Sequence, residues 1–368
     1  MLTFIFAVLT FTAVVVGLSM LLNLAASKLQ DYGTCQIDIN DGEETLSVEG
    51  GATLLSVLTA NKIFIPSACG GQGTCSYCKL RVLDGGGPIL PTETPFMTRQ
   101  ELRDQVRLSC QVKVKQDLKI RIPEDYLKVQ EYKAEVVHVK QLTVDIYECR
   151  FKLIEPETID FRQSQYIQMK APNPKGGEPI FRAYSMSNAE SDDHALELIV
   201  RHIPNGICST YLTQTIQPGD IVEFNGPFGE FTITEDPSVE IICVGGGSGM
   251  APMKSIILSQ LEKEPERPIQ LFFGCRAVKD IFYMDMFEKL KEKHPNFDFV
   301  YALSALDEGD EWDGPTGFIH LHIDKRLDEG AKRQTFLCGP PMMVEAATNV
   351  LRTKGVKKRD IMYDDFGI

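Results

Sequence analysis

At 368 residues, with 43% hydrophobic and 24% charged side chains, the chain has a globular composition and is too long for one ordinary core, so two to three domains are expected. A formal net charge of −13 with no basic stripe argues against nucleic-acid binding. Of the ten cysteines, Cys35, Cys149, Cys208, Cys243, Cys275 and Cys338 stand singly, mostly in apolar runs, as buried thiols of a reducing compartment do.

The first stretch departs from this soluble composition. Leu2 to Ala26 carries no charged side chain. As a helix it would reach roughly 37 Å, enough to cross a hydrocarbon core of about 30 Å with some tilt. A cleaved signal peptide is the alternative, with small residues at Leu24-Ala-Ala-Ser27. However, no basic segment precedes the apolar run, which is longer than a usual signal core. A retained transmembrane anchor over residues 1–27 is expected, and the lone basic residue Lys28 constrains its orientation only weakly.

Cys35–Ile39 and Glu44–Val48 then read as a hairpin about Asn40-Asp-Gly42, and Thr53 caps a helix running to Asn61. The next stretch is Ser67-Ala-Cys-Gly-Gly-Gln-Gly-Thr-Cys-Ser-Tyr-Cys78. Cys69, Cys75 and Cys78 are spaced C-x5-C-x2-C, and Gly70, Gly71 and Gly73 accept the positive φ that turns backbone amides inward. With Cys110 as a fourth thiolate, the set suits a [2Fe–2S] cluster, with one residue more than the plant-type spacing. Zinc is the competing reading, but it usually takes two short cysteine hooks, and only Cys75/Cys78 makes one. Lys79–Leu83 and Gln111–Val114 read as strands, with a loop at Gly85-Gly-Gly-Pro88. The order hairpin, helix, loop, strands resembles the β-grasp of ferredoxins, here over 32–126.

From 130 to 235 the pattern is short alternating strands, among them Ala134–Val139, Tyr147–Leu153, Ala195–Val200 and Ile221–Phe224. Turns such as Pro172-Asn-Pro174 and Pro218-Gly-Asp220 separate them, which predicts an antiparallel β-barrel. Over 236–368 the period changes. A buried strand at Ile241–Val244 leads through a glycine turn into a helix to Gln260. Strand Ile269–Phe273, helix Met284–Lys293 and strand Phe297–Val300 follow, giving a doubly wound α/β sheet. The fold class is thus multidomain α+β and α/β behind an N-terminal transmembrane helix.

Gly245-Gly-Gly-Ser-Gly-Met-Ala-Pro252 follows a strand and opens a helix, as a dinucleotide loop does, although the orthodox G-x-G-x-x-G spacing fails at Met250. Arg182-Ala-Tyr-Ser185, set between barrel strands, offers a phosphate clamp, an aromatic face and a hydroxyl. Gly206-Ile-Cys-Ser-Thr-Tyr211 could open a helix toward a diphosphate. Gly226-Pro-Phe-Gly229, Cys338-Gly-Pro-Pro-Met-Met343 and Asp364-Asp-Phe-Gly-Ile368 complete the series.

Taken in this order, the motifs resemble the ferredoxin–NADP⁺ reductase superfamily. With the anchor and the cysteine loop, the whole chain is similar to the electron-input subunits of sodium-translocating, quinone-reducing respiratory complexes. The resemblance implies FAD, a [2Fe–2S] cluster and NADH as substrate. It places Arg182 on the FAD diphosphate with Ala183 in the same motif, Tyr184 stacked on the isoalloxazine, and Ser185 near flavin N5. Ser209 would help hold the diphosphate, within the motif that carries Gly206 and Cys208. Gly245, Gly246, Gly247 and Gly249 would cradle the nicotinamide nucleotide. Cys338, followed by Gly339, would lie at the hydride-transfer position, and Phe366 would cover the other flavin face. Arg276 with Asp280 at the end of the second strand leans toward NADPH by the simple ribose rule, whereas the resemblance implies NADH.

The resemblance further implies partners in the membrane subunits of such a complex, a lipid bilayer around the N-terminal helix, and a bacterial inner-membrane location with the soluble domains on the cytoplasmic side. A membrane-anchored NADH-dependent reductase serving an oxygenase or hydroxylase uses the same ferredoxin, flavin and nucleotide order. An anchored iron–sulfur sensor is the non-enzymatic alternative.

Overall fold

The computed structural model describes residues 2–29, 32–229 and 233–365. They divide into two compact units, Met1–Ser67 with Gly71–Lys128, and Ala68–Gly70 with Val129–Ile368.

The first unit opens with helix α1 (Leu2–Leu29). Its segment Phe4–Leu21 is long and apolar enough to cross a membrane, and none of that segment is buried in the protein. Thr10 and Thr12 donate their hydroxyls back to the carbonyls of Phe6 at 2.9 Å and Val8 at 2.8 Å, so neither hydroxyl needs water. Strands β1 (Thr34–Ile39) and β2 (Glu44–Glu49) form the predicted hairpin, with Asn40 and Asp41 at positive φ in the turn. Helix α2 (Leu54–Ala60) starts at Thr53, whose hydroxyl accepts from the Ser56 amide at 3.2 Å.

Strand β3 (Lys79–Asp84), the short helix α3 (Arg99–Arg103), strands β4 (Val106–Leu108) and β5 (Leu118–Arg121), and the turn α4 (Glu124–Leu127) complete the unit. The sheet order β2-β1-β5-β3-β4 has β1 and β5 parallel at its centre. Alternation explains the core: Cys35, Ile37 and Ile39 point inward from β1 and meet Leu54 and Leu58 of α2.

One expected strand is absent. Val112 and Val114 alternate inward as predicted, but Gln111–Val114 bonds to the segment before α2 instead of joining the sheet. Gly51 and Leu54 donate to the carbonyls of Val114 and Val112, both at 2.7 Å. Period-two burial therefore arises here from a single antiparallel bridge, Thr53 to Lys113, outside the sheet.

The second unit begins with six antiparallel strands: β6 (Gln130–Gln141), β7 (Ile146–Glu155), β8 (Tyr166–Ala171), β9 (Ile180–Ser185), β10 (Ala195–Arg201) and β11 (Ile221–Phe228). Their order is β10-β7-β6-β11-β8-β9. A bridge from Met186 to Leu198 links the two ends of this order around a core of Phe151, Ile167, Met169, Leu198 and Phe224. Helix α5 (Ile207–Thr210) and a π turn at Tyr211–Thr215 lie between β10 and β11.

The parallel sheet follows: β12 (Glu240–Gly246), α6 (Met250–Lys263), β13 (Ile269–Cys275), α7 (Met284–Lys293), β14 (Phe297–Leu303), α8 (Ile319–Arg326), β15 (Arg333–Gly339), α9 (Pro341–Thr353) and β16 (Ile361–Asp365). Its order, β14-β13-β12-β15-β16, reverses between β12 and β15. In open α/β sheets that reversal leaves a crevice at the carboxyl ends of the two strands, where ligands bind.

Candidate active site and cluster loop

The glycine loop and the Cys338 motif meet at this reversal. Gly245 at the end of β12 is the register partner of Cys338 at the end of β15. A methyl group on Gly249 would lie 2.1 Å from the Cys338 carbonyl oxygen, so only glycine lets the two strand ends close. Gly246 packs against Met343 and Pro340, and Gly339 against the Gly246 backbone. Cys338 is fully buried. Helix α6 starts directly after Gly249, directing free amides and the positive end of its dipole toward the crevice.

Arg201, which the motif reading missed, ends β10 with its guanidinium against Gly247, whose φ of +60° leaves no place for a side chain. Arg201 Nε also faces Asp145 at 3.2 Å. Its signal in the sequence was a cation closing the apolar run Leu196–Val200.

On the barrel side, Arg182, Ala183, Tyr184 and Ser185 lie within β9 rather than between strands as expected, because β9 pairs along its whole length with β8. The alternation of the strand places Arg182 and Tyr184 on one face, while Ser185 is buried at its end. Burial, and next the neighbouring Cys208, push the Tyr184 hydroxyl well above its ordinary value. Burial likewise raises the Cys208 thiol, to about 11, with the Arg182 charge opposing it. Cys208 donates to the Ile180 carbonyl at 3.5 Å, tying α5 to β9. Ser209 closes its own turn: its hydroxyl accepts from the Ile203 amide at 3.1 Å and reaches the Gly206 carbonyl at 3.2 Å. Gly206 is required because a side chain there would strike that hydroxyl.

Arg276 is exposed just beyond β13, whereas the Asp280 carboxylate accepts from the Ala277 amide at 3.1 Å and is committed to that turn. Phe366, with the rest of the terminal motif from 366 on, lies outside the described residues, as do Glu230 and Phe231 beside the Gly226-Pro-Phe-Gly229 motif.

A buried polar network joins barrel and parallel sheet within this unit. Glu197 of β10 takes the Lys254 ammonium of α6 at 2.5 Å and the Ser187 hydroxyl at 2.6 Å, with Arg150 at 3.5 Å. Glu148 of β7 accepts from Tyr283, which precedes α7, and pairs with His138 at 2.9 Å. Burial acts to raise the Glu148 carboxyl. Hydrogen bonds from Tyr283 and His138, with the Lys254 charge, more than offset that and hold it below its ordinary value.

The cysteine loop has Gly70, Gly71, Gly73 and Ser76 at positive φ. The Gly71 amide donates to the Ser67 hydroxyl at 3.1 Å. Cys78 and Cys110 are buried, and the Cys110 thiol beside it, then burial, push the Cys78 thiol far above its ordinary value. Two adjacent thiolates repel each other, and a cationic iron centre would relieve that repulsion, so this pair suits a cluster. Cys69 and Cys75 lie on the same loop. Among the described residues, no three His, Cys, Asp or Glu side chains converge as ligands of a single ion. A two-iron cluster instead spreads four thiolates over two metals.

The comparisons with known proteins follow the same division. Residues 33–115 match the 2Fe-2S iron-sulfur cluster binding domain, 133–233 the oxidoreductase FAD-binding domain and 243–349 the oxidoreductase NAD-binding domain. The chain is similar to the F subunit of the Na(+)-translocating NADH-quinone reductase of Psychrobacter cryohalolentis, at 36% identity covering 99% of each chain. The corresponding F subunit of Neisseria gonorrhoeae is 36% identical, again over 99% of each. Among solved structures, the Amycolatopsis cytochrome P450 reductase GcoB aligns with a TM-score of 0.72 at 28% identity, covering 90% of this chain and 99% of that one. A ferredoxin reductase in carbazole 1,9a-dioxygenase gives 0.68 at 27%, covering 91% and 98%.

Proposed function

The chain belongs to the family of F subunits of the Na(+)-translocating NADH-quinone reductase, and on that premise we propose that it oxidises NADH where β12 and β15 part and delivers the electrons singly to the membrane partners of the complex. Bound FAD supplies the change from a two-electron hydride donor to the one-electron transfers that a [2Fe–2S] cluster accepts. The chain's own residues bind, orient and exclude water. Gly245, Gly246, Gly247 and Gly249 bring backbone amides to the nucleotide diphosphate, with Arg201 supplying positive charge beside Gly247. Arg182 and the α5 turn would hold the flavin diphosphate, Tyr184 would offer its face to the ring system, and Ser185 and Cys338 would sit beside the hydride path. Gly339 keeps the Cys338 turn tight, and Arg276 would meet the adenosine ribose. Phe366 is assigned to the other flavin face by resemblance alone. Cys69, Cys75, Cys78 and Cys110 would hold the cluster. Helix α1 anchors the protein in the bacterial inner membrane with the soluble domains on the cytoplasmic side, and the sodium path belongs to other subunits.

The observation that carries this reading is the register pair of Gly245 and Cys338 at the reversal of strand order. Stopped-flow reduction of the flavin by NADH tests it. Cys338→Ala is expected to slow that step by about 10²-fold, the loss that a misplacement of about 1 Å at a reacting centre brings, while FAD content stays near stoichiometric and NADH remains preferred over NADPH in kcat/KM. Unchanged flavin reduction in this variant would reject the assignment.

The likeness to GcoB and to the carbazole dioxygenase reductase supports a second reading, an anchored reductase serving an oxygenase. Purification from native membranes in mild detergent separates the two. Recovery with polytopic subunits and sodium-stimulated quinone reduction supports the first, and recovery with an oxygenase the second.

A further inference from the structure

Three separate segments of the first unit meet at one side-chain amide, which is aimed at a cysteine sulfur. Gln111 directs its side-chain amide nitrogen at Cys110 Sγ, 3.7 Å away. Thr92 donates its hydroxyl to the other end of that amide, Gln111 Oε1, at 3.1 Å. The amide lies over Gly73 of the cysteine loop, where a methyl group would come within 2.6 Å of Nε2, so glycine is needed to admit it. A thiolate has no proton to give, so it selects the NH2 end of the amide, and Thr92 fixes the same orientation from the opposite side.

Both ends of this chain of contacts are tied to one buried ion pair. Glu93, next to Thr92, is fully buried and takes Arg107 at 2.7 Å. It also accepts from the amides of Leu90 at 2.9 Å and Leu108 at 3.0 Å. Arg107 spends its remaining donors on the carbonyls of Gly86, Gly87 and Pro88. Thr92 and the strand leading into Cys110 are thus fixed relative to one another by groups that cannot move independently.

We propose that Gln111 tunes the reduction potential of the cluster by donating an N–H···S hydrogen bond to the Cys110 thiolate, with Thr92 as its positioning residue. The proposal rests on Cys110 being a cluster ligand. Reduction adds negative charge to the iron–sulfur unit, and a donor dipole aimed at a ligand sulfur stabilises the reduced form more than the oxidised one, raising the potential.

The test is an EPR-monitored redox titration of the full-length protein in detergent. Gln111→Leu is expected to lower the midpoint by a shift on the order of tenfold in the one-electron equilibrium, or about 59 mV. It should also remove one exchangeable-proton coupling from the reduced signal. Thr92→Val, which keeps the amide but frees it to turn, is expected to shift the midpoint less and in the same direction. An unchanged midpoint in Gln111→Leu with intact iron content overturns the proposal. Should Gln111→Leu fail to retain iron, an unchanged or raised midpoint in Thr92→Val overturns it instead. Cys110→Ser separates the two levels of inference: an unaltered cluster spectrum there rejects the ligand assignment itself, whereas an altered spectrum beside an unshifted Gln111→Leu rejects only the tuning role.

Discussion

A single methyl group at Gly249 would have to displace the backbone of β15, because its nearest neighbours are the Cys338 carbonyl oxygen at 2.1 Å and carbon at 2.5 Å. Neither can retreat while Gly245 and Cys338 remain paired across the two strands. Overpacking of this kind costs about 1–3 kcal/mol, and here the distortion falls on the nucleotide loop. Gly249→Ala is therefore expected to raise the KM for NADH at least about tenfold, since roughly 1.4 kcal/mol corresponds to that factor, while FAD content changes little. Steady-state kinetics with parallel flavin quantification check it, and an unaltered KM would show that the loop yields without consequence for the nucleotide. The sequence marks Gly249 as part of a glycine cluster, but not why that position in particular must be glycine. What makes position 249 a glycine is the Cys338 carbonyl, brought in from far along the chain, and no local pattern encodes it.

Between elements, the decisive contact is Lys254 of α6 with Glu197 of β10, both 6% exposed. The helix that opens at the nucleotide loop is thereby fastened to a strand of the flavin barrel. Tyr283, held at a φ of +61° before α7, makes a second tie through Glu148. Removing one member of a buried pair strands the other, at a cost of about 3–5 kcal/mol, whereas replacing both by neutral groups of similar shape is often close to neutral. Lys254→Met alone should destabilise the unit by roughly that amount, and the double variant with Glu197→Gln should recover most of it. Denaturant unfolding followed by flavin release measures both, and additive losses would mean that the two side chains act separately.

At this scale the sequence was most legible where one element carries its own signal. The first hairpin, the Thr53 cap, α6 and α7 all follow from local turn residues and periodicity. Legibility fell where a partner decides. Gln111–Val114 alternates like a strand yet pairs with the backbone before α2, and the Arg182 motif is in a strand because β8 lies beside it. Lys254 and Glu197 were missed because one charged residue in an apolar run looks like a solvated face until the facing element is known.

Over the whole molecule, the titrating groups set the pH range in which the folded chain is favoured. Hydrogen bonding to Lys79 first, then to the Thr98 amide, lowers the Glu101 carboxyl from an ordinary 4.5 to about 2. Glu93 and Glu148 are also held low: burial works to raise them, but their hydrogen bonds and neighbouring cations prevail. A carboxyl depressed by folding binds fewer protons in the native state than in the unfolded one. Its stabilisation is present above the unfolded value and is lost as pH falls through the folded one, for Glu101 between 4.5 and about 2. The thiols act at the other end. Burial raises Cys149 from 9.0 to about 12, so the native state keeps a proton that the unfolded chain releases, and stability declines as pH rises through that interval. Urea midpoints at constant ionic strength are therefore expected to form a plateau between roughly pH 5 and 8.5, falling on both sides. Glu93→Gln should flatten the acid limb as read from cluster absorbance, and Cys149→Ala the alkaline limb as read from flavin fluorescence. Midpoints that keep falling above about pH 9 in Cys149→Ala, as steeply as in the parent chain, would assign the alkaline loss to other groups such as the buried tyrosines.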